Sequence, residues 1–363
     1  MMKKFDLAVD KSDMLSILLN FCDQIDEAAN IAKGVRIKSS SQPIDNIVYC
    51  GMGGSAISGD FLKNLLSDEL SVPMEIVRNY SLPEYVDERT LIIVASYSGN
   101  TEETLSCLEE SIKRNTHLIG ITSGGNVADT ISSLSANSGK TVVRIEIPKG
   151  YPPRTAFGFM CVPLLIALKK LGLTKRDPMD DIAESIEFLK KAAKEFNPQN
   201  GLDNRACSLA SEILNTIPVL YGASNSTDMI ARRWTTQFSE NAKIIAYYNA
   251  FPELNHNEIV GWENLPDKLK DFSVIILHDS GDYNRITARQ SITKGILENG
   301  NDGTPFPQKI VDIFSEGSSK LTRWLSLIYL GDFVSWYTAI MYGTDPTPVK
   351  KIDLLKSSLA ELK

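Results

Sequence analysis

Two polar turns, each following an apolar run, carry the residue types from which an anion site is made. Ser96-Tyr97-Ser98-Gly99-Asn100-Thr101-Glu102-Glu103-Thr104 comes directly after Leu91-Ile92-Ile93-Val94-Ala95. Ser96, Ser98 and Thr101 offer hydroxyl donors, and the turn offers backbone N–H groups. A helix starting near Thr101 adds the positive end of its dipole. No lysine takes part, which suits a compact phosphate monoester better than a nucleoside triphosphate. The other turn, Gly51-Met52-Gly53-Gly54-Ser55-Ala56, follows Ile47-Val48-Tyr49-Cys50. There Gly53 and Gly54 let the backbone approach a ligand, and Ser55 adds a hydroxyl. Ser and Thr also cap helices that bind nothing, so hydroxyls alone do not decide the matter.

Gly51-x-Gly53-x-x-Ala56 after a strand also satisfies the relaxed dinucleotide fingerprint, and Arg78 could meet a cofactor 2′-phosphate. A nicotinamide-dependent dehydrogenase is therefore a rival reading. It gives no reason for the second hydroxyl-rich turn, whereas one small phosphorylated ligand uses both.

The elements that must position these turns alternate between strand and helix. An amphipathic helix is expected over 11–33, then strands at Ile47–Cys50, Met74–Val77, Leu91–Ala95, His117–Thr122 and Val142–Ile145. Helices follow near 157–170 and 180–194. Asn197-Pro198-Gln199-Asn200-Gly201 marks a breakpoint between residues 1–195 and 196–363. Beyond it, strands are expected at Ile217–Gly222, Ile244–Tyr247 and Val274–Leu277. Such alternation implies parallel sheets covered by helices, with ligands at the carboxyl ends of the strands. Leu220-Tyr221-Gly222-Ala223-Ser224-Asn225-Ser226 echoes Tyr49-Cys50-Gly51-Met52-Gly53-Gly54-Ser55 and hints at two related α/β units.

With 363 residues, two domains are expected. Hydrophobic residues make up 43% and charged residues 23%, as in soluble globular proteins. The net charge of −7 argues against a nucleic-acid partner. Cys22, Cys50, Cys107, Cys161 and Cys207 are scattered without a C-x-x-C pair. They read as buried thiols in a reducing cytoplasm, with no disulfide framework and no zinc site. Residues 324–343 are long and apolar enough to suggest a membrane span, yet Asp332 sits near their middle and a Gly-Thr-Asp-Pro stop follows. A core helix is expected there, and no signal peptide is read at Met1-Met2-Lys3-Lys4.

The two turns combine with Tyr151-Pro152-Pro153-Arg154-Thr155-Ala156-Phe157-Gly158, Glu240-Asn241-Ala242-Lys243 and Glu253-Leu254-Asn255-His256-Asn257-Glu258. In this order the five motifs resemble the sugar isomerase (SIS) fold. More narrowly, they resemble the bifunctional phosphoglucose/phosphomannose isomerases found mainly in archaea. The resemblance spans nearly the whole chain. It implies an α/β protein of two SIS-type three-layer αβα subdomains with parallel sheets. Residues 1–195 would hold N-terminal helices, the first SIS domain and connecting helices; 196–363 would hold the second and C-terminal helices. It further implies that Gly54, Ser55, Ser96, Ser98 and Thr101 hold the sugar phosphate. Glu240 matches the catalytic base, His256 the ring-opening acid, and Arg154 the residue beside the enediolate and substrate. The catalytic lysine is best matched by Lys356, in Ile352-Asp353-Leu354-Leu355-Lys356, with Lys350 and Lys351 as alternatives. A homodimer is implied, with the active site at the subunit interface and the histidine supplied by the neighbour. No metal and no cofactor are implied.

The chemistry agrees with these residue types. Interconverting an aldose and a ketose phosphate moves a proton between adjacent carbons, work for a carboxylate whose pKa burial raises. A guanidinium stabilises the anionic cis-enediolate. A histidine, assisted by a lysine, opens the closed sugar ring. Rotation about C2–C3 in the site would let one base serve both the glucose and mannose epimers, and Thr347 would leave room for the latter. His117 and His278 read as strand-edge residues without ligand spacing. The rival from another class is a non-catalytic sugar-phosphate sensor of the SIS type. It would have no use for Glu240, Arg154 and His256 together.

Overall fold

The computed structural model describes residues 5–37, 42–134, 140–300, 303 and 305–362. The helix expected over 11–33 is two helices, α1 (Met14–Leu19) and α2 (Phe21–Gly34), broken at Asn20. Two compact units part at that break. One comprises Asn20–Lys190 with Gly317–Arg323; the other comprises the stretch up to Leu19, Lys191–Glu316 and the chain from Trp324 onward.

The first unit is built on β1 (Asn46–Gly51), β2 (Met74–Val77), β3 (Thr90–Ala95), β4 (His117–Thr122) and β5 (Val142–Glu146). Their order is β2-β1-β3-β4-β5, and every neighbouring pair is parallel. β3 and β4 are buried at every position, because helices cover both faces of a parallel sheet and leave no polar side. After β1, β3 and β4 come α3 (Gly53–Leu65), α4 (Glu102–Lys113) and α5 (Gly125–Ser133). α6 (Phe157–Lys170) is apolar nearly all round and buried from Phe157 to Leu168, against α2 and α3. α7 (Met179–Phe196) then leads out of the unit. This strand order reverses direction between β1 and β3, and the crevice for a ligand opens at their carboxyl ends.

In the second unit α8 (Arg205–Glu212), β6 (Ile217–Ala223), α9 (Asp228–Gln237), β7 (Tyr247–Phe251) and α10 (Pro266–Leu269) come first. β8 (Phe272–His278), α11 (Asn284–Asn299), β9 (Lys309–Phe314), α12 (Lys320–Tyr342) and α13 (Lys350–Glu361) follow. The sheet order is β7-β6-β8-β9, again parallel throughout. Both edge strands escape the sequence pattern. β7 starts at Tyr247 instead of Ile244, and β9 has no expected counterpart. Edge strands are half-exposed, so their side chains mix apolar with polar, and Ile245 lies 64% exposed just outside β7.

The apolar 324–343 segment lies within and just beyond α12, whose side chains from Trp324 to Met341 are buried almost without a gap. Its lone acid is explained by α9. Arg233 Nη2 donates to both carboxylate oxygens of Asp332 at 3.0 and 2.9 Å, and Gln237 Nε2 donates to Oδ1 at 2.6 Å. All three side chains are buried. Among the described residues no helix is long and apolar enough to cross a membrane. His117 and His278 are structural. His117 is fully buried and accepts from Thr141 N, while His278 bridges Gln290 and Asp312.

Two outcomes follow from these charges. Asp332→Ala leaves Arg233 charged and buried without its carboxylate, and is expected to lower stability by ~3–5 kcal/mol in urea unfolding. The hydrogen bond from His278, aided by Lys294, holds the Asp312 carboxyl below the usual carboxylate range. That stability is complete above the unfolded value of about 3.9 and is lost as pH falls through the lower folded value. Thermal melts of Asp312→Asn are expected to show a lower melting temperature at neutral pH and a shallower acid limb below about pH 4.

Candidate active site

The register of β1 on β3 pairs Gly51 with Ala95, so both polar turns leave the sheet side by side at the switch point. α3 and α4 start there, and neither has a side-chain cap. Met52 is the N-cap residue of α3, and Thr101, which holds that position in α4, turns its hydroxyl to Ser96 Oγ at 3.0 Å. The N–H groups of Gly53 and Gly54 in α3 and of the first turn of α4 thus remain for a ligand, the arrangement that favours an anion, while Ser55 N donates to Met52 O at 3.1 Å. The neighbouring α5 is different: Asn100 Oδ1 accepts from Asn126 N at 3.0 Å.

The turn after β3 is held from within. Gly99 N donates to Ser96 Oγ at 3.1 Å and to Ser96 O at 3.1 Å, and Asn100 N donates to Ser98 Oγ at 3.3 Å. Ser96 is buried and Ser98 exposed, giving one hydroxyl that shapes the turn and one that faces outward. Gly99 has φ +71°, and a Cβ there would lie 1.8 Å from Gly124 O. Only glycine fits. Ser55 is buried at the start of α3, with its carbonyl accepting from Tyr49 Oη at 2.8 Å.

Arg154 joins this group. It lies buried in a short 3-10 turn, Pro153–Thr155, and a Cβ on Gly54 would stand 3.4 Å from Arg154 Cα. Two residues given no role in the sequence reading hold the segment. Tyr97 Oη donates to Pro148 O at 3.0 Å and accepts from Tyr151 N at 2.8 Å, joining the serine turn to the Tyr-Pro-Pro-Arg motif. Burial raises the Tyr97 hydroxyl above its ordinary pKa, so it stays a donor. Gln24, on the buried face of α2, donates to Thr155 O at 3.0 Å and accepts from Gly158 N at 2.8 Å. The signal for Gln24 was an amide among apolar neighbours; for Tyr97 it was its place between two site serines. Arg78, offered above to a cofactor phosphate, is instead paired with Asp60 and donates to Ala56 O.

The second unit carries Glu240, His256 and Lys356. α9 runs into a π-helical turn, Phe238–Ala242, which sets Glu240 half-buried off the end of the helix. Such turns displace side chains from the regular helical spiral and are frequent at functional sites. The turn is fixed on both sides of Glu240. Asn241 Nδ2 donates to Ser335 Oγ at 2.9 Å, and Lys243, at φ +60°, donates through Nζ to Glu240 O and to Pro346 O at 3.0 Å. The Pro346 contact brings the 345–348 loop, with Thr347, to this turn. His256 ends the 3-10 turn Glu253–His256 after β7, with its side chain exposed. Asn255 Nδ2 donates to Thr293 Oγ1 at 2.8 Å, and Glu258 accepts from Tyr221 Oη and from Asn249 Nδ2. Lys350, Lys351 and Lys356 all stand on α13, which is exposed along its length. Among the described residues, no group of three or more His, Cys, Asp or Glu could hold a metal ion.

The family model described as bacterial phospho-glucose isomerase C-terminal SIS domain matches residues 202–359, and the SIS domain model matches residues 42–148. A relative from Caldicellulosiruptor bescii named bifunctional phosphoglucose/phosphomannose isomerase is 42% identical over 352 residues. The match covers 96% of this chain and 100% of the relative. One of the same name from Aquifex aeolicus is 38% identical, covering 87% of this chain and 91% of its own. Among solved structures, the C-terminal domain of glucosamine-fructose-6-phosphate aminotransferase from Francisella tularensis is alike in fold. Its TM-score is 0.66 at 17% identity, covering 92% of this chain and 98% of that one.

Gly99→Ala is expected to open the serine turn. The added methyl meets backbone in a left-handed conformation, at a stability cost of about 1–3 kcal/mol. Protection of the variant against thermal unfolding by added phosphate should fall with it; full protection would show that the turn takes no part in anion binding.

Proposed function

Because the chain belongs to the bifunctional phosphoglucose/phosphomannose isomerase family and is an aldose–ketose isomerase of sugar phosphates, we propose the following division of labour among its residues. Gly54, Ser55, Ser96, Ser98 and Thr101 hold the phosphate of glucose 6-phosphate, mannose 6-phosphate or fructose 6-phosphate. The observation that supports this most directly is the pair of uncapped helix N-termini at the β1–β3 switch point, lined by hydroxyls.

Glu240 is the base that removes the proton from C2 of the aldose and returns it to C1 of the ketose. The π turn and its ties to Ser335 and Pro346 hold the backbone on either side of the carboxylate and so limit the positions it can reach. Proton removal generates a cis-enediolate, whose charge the Arg154 guanidinium stabilises in a buried, preorganised position. His256 acts as the acid that opens the ring, and Lys356 assists at the ring oxygen. These steps need no Lewis acid, and the reaction proceeds without metal or cofactor. His256 and Lys356 stand on exposed segments, in keeping with an active site completed at a homodimer interface, where His256 reaches the neighbouring subunit's substrate. The enzyme works in the cytoplasm, exchanging hexose phosphates between glycolytic and gluconeogenic directions.

Incubation with fructose 6-phosphate and EDTA, with the two aldose phosphates assayed separately, is expected to yield both. Formation of glucose 6-phosphate alone would sink the mannose activity, and dependence on added zinc would sink the metal-free mechanism. Glu240→Gln is expected to lower kcat by about 10²–10⁴-fold with little change in KM, as removal of a general base does. Undiminished turnover would remove Glu240 from the mechanism.

A further inference from the structure

The second unit repeats the switch point of the first, with β6 and β8 standing where β1 and β3 stand. Ser226 follows Gly222 at the spacing by which Ser55 follows Gly51. The turn after β8 also repeats the turn after β3. Asp282 N donates to Asp279 O at 3.0 Å, as Gly99 N donates to Ser96 O at 3.1 Å. Asp279 therefore corresponds to Ser96, and Asp282 to Gly99.

The outcome for an anion is opposite in the two units. Where the first turn has no side chain, the second has a carboxylate folded back over the turn. Asp282 Oδ1 accepts from Ser226 Oγ at 2.7 Å, and Oδ2 accepts from Asp279 N at 3.2 Å. Asp279, buried, replaces the serine hydroxyl with a second carboxylate, accepting from Gly281 N at 3.0 Å and Ser315 Oγ at 2.6 Å. Thr227, beside Ser226, is spent on the backbone, its hydroxyl accepting from Ala223 N at 2.8 Å. The Ser226 hydroxyl and the Ala223, Asp279 and Gly281 N–H groups are thus taken up by side chains of the unit itself.

We propose that Asp282 is a tethered occupant of the second unit's anion cradle. Its carboxylate takes the hydroxyl of Ser226, the counterpart of Ser55, and sets a negative charge where a ligand's phosphate would stand, so each chain holds sugar phosphate in the first unit alone. A carboxylate on the adjacent backbone has an effective concentration far above that of a free anion, and its charge repels a second anion at the same donors. The count of one ligand per chain rests on the phosphate reading of the first cradle. The occupancy of the second does not.

Equilibrium dialysis of labelled inorganic phosphate against the full chain separates the two. Wild type is expected to bind one phosphate per chain, and Asp282→Ser two, with a larger rise in melting temperature on adding phosphate. Wild type binding none while Asp282→Ser binds one would still support the plug, and would instead remove the first cradle's phosphate role. Two sites in wild type, or no gain in a folded Asp282→Ser chain, overturns the proposal. If Asp282→Ser does not fold in phosphate-free buffer, recovery of its circular dichroism on adding phosphate supports the plug. Failure of both Asp282→Ser and Asp282→Gly to recover in saturating phosphate counts against it.

Discussion

A buried charge pair governs the second unit. Taking Arg233 and Asp332 out of water is costly, and the cost is offset only by close, directional contact and by the extra hydrogen bond from Gln237. That directionality sets the roll of α9 on α12, which an apolar contact of equal area would leave loose. Trp234 reinforces it by donating to Leu327 O at 3.0 Å and filling the space over Gly331, where a Cβ would stand 2.2 Å from the indole. One turn along α12, Ser335 receives Asn241. The π turn that carries Glu240 therefore starts from a helix whose rotation is already determined. Glu240 depends on this, since a base is useful only where its carboxylate is held.

In the first unit the governing constraint is the parallel register. Gly51 opposite Ala95 lines up two strand ends, and with them two helix starts, so that the dipoles of α3 and α4 meet at one place. The polar work around them falls to residues that touch no ligand in the proposed chemistry. Tyr97 joins turn to turn, and Gln24 holds both sides of the Arg154 segment. Buried amide and hydroxyl groups of this kind are satisfied in one geometry only, which makes them good at fixing a loop. The duplicated sheet of the second unit shows the same backbone devoted to a different end, its turn closed by its own carboxylates.

How far the molecule could be read from its residues depended on burial. The strands β1, β3, β4, β6 and β8 lie in continuous apolar runs because helices cover both faces, and these were legible. The edge strands β2 and β5 of the first sheet were legible too, but those of the second sheet were not. β7 starts three residues after Ile244, where the Ile244-Ile245 pair mimicked a strand, and β9 alternates too weakly to register. The break at Asn20 is likewise silent in a pattern that stays amphipathic across it. Within the candidate site the hydroxyl turns and Arg154 were legible as motifs, whereas Gln24 was hidden by its helix and the π turn by its short length. Asp332 looked like an interruption in an apolar helix until its partner, 99 residues earlier, supplied the reason.

The stretch before Leu19 belongs with residues made some three hundred positions later. Trp336 donates to Asp10 at 2.9 Å, Tyr329 donates to Leu18 O at 2.9 Å, and Phe5 packs on Trp336 and Tyr337. Leu18 and Tyr329 are 311 positions apart. At ribosomal speeds of about 5–20 residues per second, roughly 15–60 s pass between the birth of one partner and that of the other. The unit starting at Asn20 has nearly all of its chain available well before then. During that interval Leu15 and Leu18, buried in the folded chain, wait without α12 to cover them. A nascent chain of this design carries that apolar stretch unpartnered for a defined window, which closes with the synthesis of α12.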